Sequence, residues 1–248
     1  MFIPIEIYFL FFLIALLYSS VGHGGASGYI AIFALFGIAS PKLVAVPLAL
    51  NIIVASISFI SYYKSGYFQK KLLLPFVLTS IPAAFIGGLI KISEPTFDLL
   101  LSVALILSGI RLLFLREIKT SKVDSQIPLK TTLTIGMILG FAAGVLGIGG
   151  GVFLSPLLLF FGWANAKQTA ATSSAFIVLN SISGLASQTI KGNFNFELII
   201  PFIAIVFVGG FLGSRLGSSK LSFRKLQAIL GIVLLFAGIK TIFPLIIA

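Results

Sequence analysis

The chain has 248 residues, 58% of them hydrophobic and 9% charged, with a mean hydropathy of +1.17. So few charges cannot clothe a water-soluble core, so the solvent is read as lipid. The net charge of +11 is carried singly or in pairs between apolar runs, which excludes a nucleic-acid-binding stripe, and the absence of cysteine excludes disulfides, thiolate metal sites and cysteine nucleophiles.

The first apolar run, 4–21, lacks a basic leader and carries Glu6, so it reads as a retained helix and not a cleaved signal. Further runs follow at 26–38, 42–63, 72–91, 97–115, 131–146, 150–163, 167–189, 197–217 and 223–246. The one hydrophilic stretch of any length, 116–130, is a linker between a first membrane repeat, 1–115, and a second, 131–248. The repeats align: Gly22-His23-Gly24-Gly25 with Gly147-Ile148-Gly149-Gly150, Gly37 with Gly162, and Lys42 with Lys167. Farther on, Gly66, Pro75, Gly87 and Phe97 pair with Gly192, Pro201, Gly213 and Phe223, and Ser108-Gly109-Ile110-Arg111 echoes Ala237-Gly238-Ile239-Lys240.

Charge sets the expected orientation. The third connection of the first half carries Lys64, Lys70 and Lys71, whereas in the second half the excess moves to the fourth, with Arg215, Lys220, Arg224 and Lys225. Equivalent loops of opposite bias mean opposite orientation, because Lys and Arg stay on the cytoplasmic side. With the linker inside, Arg111 counted among its charges, 13 of the 17 basic residues fall in the cytoplasm and both termini outside. The expected fold is an all-α polytopic membrane protein of two inverted repeats, about five segments each, the plan of secondary transporters. The first two segments of each half form either a re-entrant hairpin or a broken-helix pair, because 26–38 and 150–163 are too short for straight spans.

The candidate site follows from that break. Glycine permits sharp turns and close approach, and the helix after each cluster offers free N–H groups and a positive dipole end, an anion site. The third segments add polar groups: Asn51, Ser58 and Tyr62 in one half, and a stripe of Thr169, Thr172, Ser173, Asn180, Ser183 and Ser187 in the other. The substrate-binding residues are thus expected among Gly22, His23, Gly24, Gly25, Asn51, Gly147, Gly149, Gly150, Gly151, Thr169, Thr172, Ser173 and Asn180. Lys42 and Lys167, opening the third segments, either attract an anion or snorkel to headgroups. Gly136, Gly140 and Gly144, and Gly209, Gly213 and Gly217, read as close-packing ridges, and Trp163 as an interfacial anchor. No Asp or Glu stands in mid-segment, so carboxylate relays, catalytic residues and metal sites are not expected, nor is a cofactor. His23 leaves coupling to a proton or another ion open; the oligomeric state is not readable.

The sequences VGHGGASGYI and LGIGGGVFLSPLL, with AKQTAATSS at 166–174, resemble the TauE/SafE family, also called the toluene sulfonate uptake permease family. The likeness runs the whole chain, including its length, duplication and linker. The first-half motif departs in His23 and Ala26-Ser27 and in lacking a counterpart to Pro156. The resemblance implies a transporter of sulfite, sulfonates or related organosulfur anions in a prokaryotic inner membrane. An anion channel of the same architecture and a non-transporting membrane assembly factor are the alternatives.

Overall fold

A computed structural model describes residues 4–114, 128–219 and 223–247. The predicted linker lies outside the described residues except at its end, where Leu129 and Lys130 already open a helix. Among the described residues there are ten α-helices and no strand: α1 Ile5–Ser20, α2 Ala26–Leu35, α3 Ala45–Lys64, α4 Lys70–Leu89, α5 Glu94–Phe114, α6 Leu129–Leu146, α7 Gly151–Phe160, α8 Ala166–Ile190, α9 Phe196–Ser219 and α10 Phe223–Ile247. Six of them, α3, α4, α5, α6, α8 and α9, are long and apolar enough to cross a bilayer. The outer surface is apolar, with Leu78, Ile86, Met137, Ile138, Phe207 and Phe236 exposed, as lipid solvation requires.

The glycines that pair in the sequence perform the same backbone task in each half. Gly37 and Gly162, and Gly66 and Gly192, all have positive φ and close their helices alike. Gly37 N bonds the Ala34 carbonyl and Ile38 N that of Phe33, while Gly162 N and Trp163 N bond those of Leu159 and Leu158. This stop after the helix C-terminus needs left-handed backbone, which glycine reaches without a Cβ clash. It ends α2 and α7 three residues earlier than their apolar runs imply, at ten residues each, or about 15 Å.

Packing repeats as well. α1 lies along α9 as α6 lies along α4, both pairs parallel in register. A Cβ on Gly140 would stand 2.3 Å from the Ser80 carbonyl oxygen and one on Gly213 2.0 Å from that of Leu16. Both ridges are therefore backbone-to-backbone contacts, the economy of small residues in a membrane. The equivalent helices α3 and α8 run antiparallel, since Leu48 meets Gly184, Asn51 meets Ser181, and Tyr62 meets Ala170. The equivalents α5 and α10 are also antiparallel, Gly109 lying on Gly231 and Ser102 on Gly238.

Trp163 corrects the sequence reading. It is 6% exposed, stacked on Phe161 at 4.6 Å and enclosed with Phe76, Leu72 and Leu158. The Gly162 turn folds it inward, so it is a core residue and not an interfacial anchor.

Candidate functional site

The antiparallel crossing of α3 and α8 places Asn51 near the middle of both helices, 1% exposed. Its amide is engaged at both ends: Oδ1 accepts from Ala26 N at 3.1 Å, and Nδ2 donates to Ser181 Oγ at 2.8 Å. The residue before α2 is Gly25, at φ 101°, which has no side chain to cap the helix, so Asn51 caps it from α3. Both glycine clusters press on this amide. A Cβ on Gly24 would lie 1.9 Å from Asn51 Oδ1, and one on Gly149 2.3 Å from Asn51 Nδ2.

The two short helices start here and leave in opposite directions. α2 runs toward the beginning of α3, where Ile30 and Phe33 meet Val44 and Pro47. α7 runs toward the beginning of α4, where Leu158 and Trp163 meet Leu72 and Phe76. Each is a half-helix, completed across the other half of the thickness by its non-helical glycine segment. This is the broken-helix form, not the re-entrant hairpin. Two helix N-termini thus face one another close to mid-depth.

Hydroxyls and one imidazole join them. The Val21 carbonyl can only accept, so His23 Nδ1 carries hydrogen and donates to it at 3.0 Å. In neutral His23, Nε2 then accepts from Ser155 Oγ, 3.0 Å away on α7. Ser155 Oγ also lies 2.8 Å from Ser173 Oγ and 3.0 Å from the Gly151 carbonyl, but has one proton to give. Protonating His23 reverses the first bond and frees the serine proton for Ser173 or Gly151. Tyr18 presents its ring edge to His23 and shares a 3.0 Å hydrogen bond with Ser27.

The remaining predicted residues separate into two sets. Ser183 donates to the Ile81 carbonyl and Ser187 to that of Gly184, so the far end of the α8 stripe serves packing. Ser58 and Tyr62 do the same for α1, donating to the carbonyls of Ser19 and Ser20. By contrast Thr169 Oγ1, Thr172 Oγ1 and Asn180 Oδ1 are buried without a protein partner. Gly22 and Gly147 turn against Ala170 and Val44, away from the crossing, while Gly150 and Gly151 pack on Phe176 and Ile177. Lys167 is exposed, its Nζ held by Tyr67 Oη at 3.0 Å. Sequence reasoning missed Tyr18, Ser27, Ser155 and Ser181, polar residues in apolar runs whose partners lie up to 132 positions away. It also missed Arg111, whose Nη1 donates to the Val152 carbonyl of α7 at 3.2 Å.

The family model for the sulfite exporter TauE/SafE family matches residues 7–241. The chain is 35% identical over 233 residues to the probable membrane transporter protein y4hK of Sinorhizobium fredii, covering 93% of this chain and 94% of that one. Over 212 residues it is 25% identical to the probable membrane transporter protein YunE of Bacillus subtilis, 76% and 75% of the two chains, and over 238 residues 24% identical to that organism's YjnA, 89% and 92%. No solved structure matches it. With ten helices among the described residues, an apolar outer surface and a family match over nearly its whole length, this polytopic membrane protein belongs to the sulfite exporter TauE/SafE family.

Proposed function

We propose that the chain is a secondary transporter that carries a small oxyanion, with sulfite and sulfonates as its substrate class, across a prokaryotic cytoplasmic membrane. The observation that carries this reading is the meeting of two half-helix N-termini at the α3–α8 crossing. There, unpaired N–H groups and two positive dipole ends favour a negative charge at mid-depth. The unpartnered hydroxyls of Thr169 and Thr172 add donors along the same side of α8 as Ser173. The family's name supports sulfur as the central atom of the anion. Antiparallel packing of equivalent helices supports an inverted repeat: a two-fold axis relating antiparallel spans lies in the membrane plane. On that axis the halves rock about a fixed site, both termini lie outside, and protons couple either through His23 or by transport of a protonated anion.

The test is flux into proteoliposomes holding the purified protein, with labelled sulfite and a panel of sulfonates, and sulfate and chloride as controls. Saturable, counterflow-competent flux of one sulfur oxyanion is the expected result. Flux without counterflow would make it a channel. No flux from folded protein would put an assembly role first.

A further inference from the structure

We infer that Arg111 is the cation of the substrate site in this conformation, and that the site therefore takes a monoanionic oxyanion. The inference rests on the transporter reading above and adds to it a binding residue and a substrate charge. Arg111 stands on α5, three residues before its end, where the sequence counts it with the linker charges. Helical side chains lean toward the N-terminus of their helix, so an arginine at the C-terminal end of α5 leans into the membrane. Its guanidinium consequently reaches the second residue of α7, the Val152 carbonyl. Pro156, four residues on, has no N–H to give that carbonyl, so the guanidinium supplies its donor; the remaining guanidinium N–H groups stand at the N-terminal end of a half-helix, where cation and helix dipole together favour an anion.

The charge inventory points the same way. A guanidinium has five N–H donors, and the Val152 carbonyl accepts from one nitrogen. Its Coulombic neighbours among the described residues are Tyr18 and His23, neither of them a carboxylate, and no described carboxylate pairs with it. Arg111 is partly exposed and has no carboxylate beside it among the described residues; an arginine at membrane depth without a counter-ion is costly and marks a pathway, with its partner to be named. The partner available here is the transported anion: planar, forked N–H groups match the paired oxygens of a sulfonate or hydrogen sulfite. One arginine balances one full negative charge, and the second charge of a dianion such as sulfate would have only the partial charges of the helix ends to meet it.

The duplicate position provides the contrast. Lys240, the repeat counterpart of Arg111, gives its Nζ to the Leu35 carbonyl at the C-terminal end of α2. A cation at a helix C-terminus is satisfied by the helix itself. The two halves thus carry equivalent cations, one on a helix C-terminus and one at a helix N-terminus with no described carboxylate beside it.

The test compares wild type, Arg111→Gln, Arg111→Lys and Lys240→Gln in liposomes, reading saturable uptake of labelled methanesulfonate with unlabelled sulfate as competitor at neutral pH. Arg111→Gln is expected to raise KM roughly 10- to 100-fold, the loss of a charge-assisted hydrogen bond. Arg111→Lys should restore part of it, and Lys240→Gln should leave KM unchanged. Sulfate should compete poorly with wild type. An unchanged KM in Arg111→Gln overturns the inference, and is also the result if the guanidinium holds a lipid phosphate instead. Should Arg111→Gln fail to fold, Arg111→Lys and the competition order decide: sulfate competing as well as methanesulfonate overturns the charge assignment. Wild-type protein that moves no sulfur oxyanion overturns the transporter reading itself, a result distinct from unaltered flux in the variants.

Discussion

Replacing Gly24 by alanine adds one methyl group at the point where the glycine turns and α3 meet. Gly24 does not have positive φ, so the substitution brings no left-handed strain and the outcome depends on space alone. The new Cβ would stand 1.9 Å from Asn51 Oδ1 and 2.9 Å from the Asn51 backbone oxygen, against ordinary contact beginning at 3.4 Å. Asn51 has to rotate away, and the bonds to Ala26 N and Ser181 Oγ are lost with it. Two buried polar groups left unpaired cost about 1–3 kcal/mol each, so a destabilisation of about 2–6 kcal/mol is expected. In a chain of this size each kcal/mol lowers Tm by about 2–4 °C. Gly66→Ala is the control: nothing lies within 4 Å, and its φ of 77° confines the cost to about 1–2 kcal/mol of backbone strain. The assay is thermal unfolding in detergent with anion uptake measured in parallel. Gly24→Ala should lose both, and Gly66→Ala should retain uptake. Wild-type melting and uptake in Gly24→Ala would refute the account of Asn51 as the shared cap.

Other perturbations test separate links. Asn51→Asp places a carboxylate where the two N-termini converge, so the protein should remain folded while uptake falls at least tenfold, as judged by gel filtration and flux. Gly140→Ala and Gly213→Ala drive a methyl into the Ser80 and Leu16 carbonyls. Because the ridges are equivalent, both should lower Tm by similar amounts, with overpacking costing about 1–3 kcal/mol each. His23→Gln keeps a side chain able to bond Ser155 and removes the charge change. The titratable and charged groups facing His23 are Tyr18 from α1 and Arg111 from α5. If His23 couples flux to protons, the acid-side dependence of uptake disappears in His23→Gln; an unchanged pH profile excludes it.

What the sequence discloses here is decided by backbone. Gly22 and Gly147, Gly25 and Gly150, Gly37 and Gly162, and Gly66 and Gly192 all have left-handed φ, and each pair is visible as an offset in the sequence. A turn that needs glycine records itself as glycine. Side-chain direction is different, because lipid is as apolar as the interior and erases the amphipathic pattern that marks a buried face in water. Nothing local therefore separates Thr172, unpartnered, from Ser183, tied to Ile81. Nor does anything local indicate that Arg111 leans inward while Lys240 caps a helix. Trp163 was misread for the same reason: aromatic and adjacent to a turn describes an interfacial anchor and a core residue equally well.

The two halves are alike in chain yet packed differently, and exchange of the two packings is a motion that can be tested. α2 is buried from Ala26 through Ala34, with α10 lying along it and Lys240 on its last carbonyl. α7 is its repeat equivalent, but α5 meets it at few places, and Phe153, Pro156, Leu157 and Leu159 stay partly exposed. If the halves exchange conformations, α5 closes along α7, Arg111 moves from Val152 toward the carbonyl of Phe160, the counterpart of Leu35, and α10 loosens from α2. The cysteine-free chain allows this to be measured with paired spin labels, Ile110 with Phe160 and Ile239 with Leu35. The Ile239–Leu35 distance should be the shorter and narrower one at rest. An inward gradient of transported anion should shorten the other pair and broaden this one. Equal distances in both halves, unmoved by substrate, would mean that the asymmetry is fixed and that access does not alternate by exchange of the repeats.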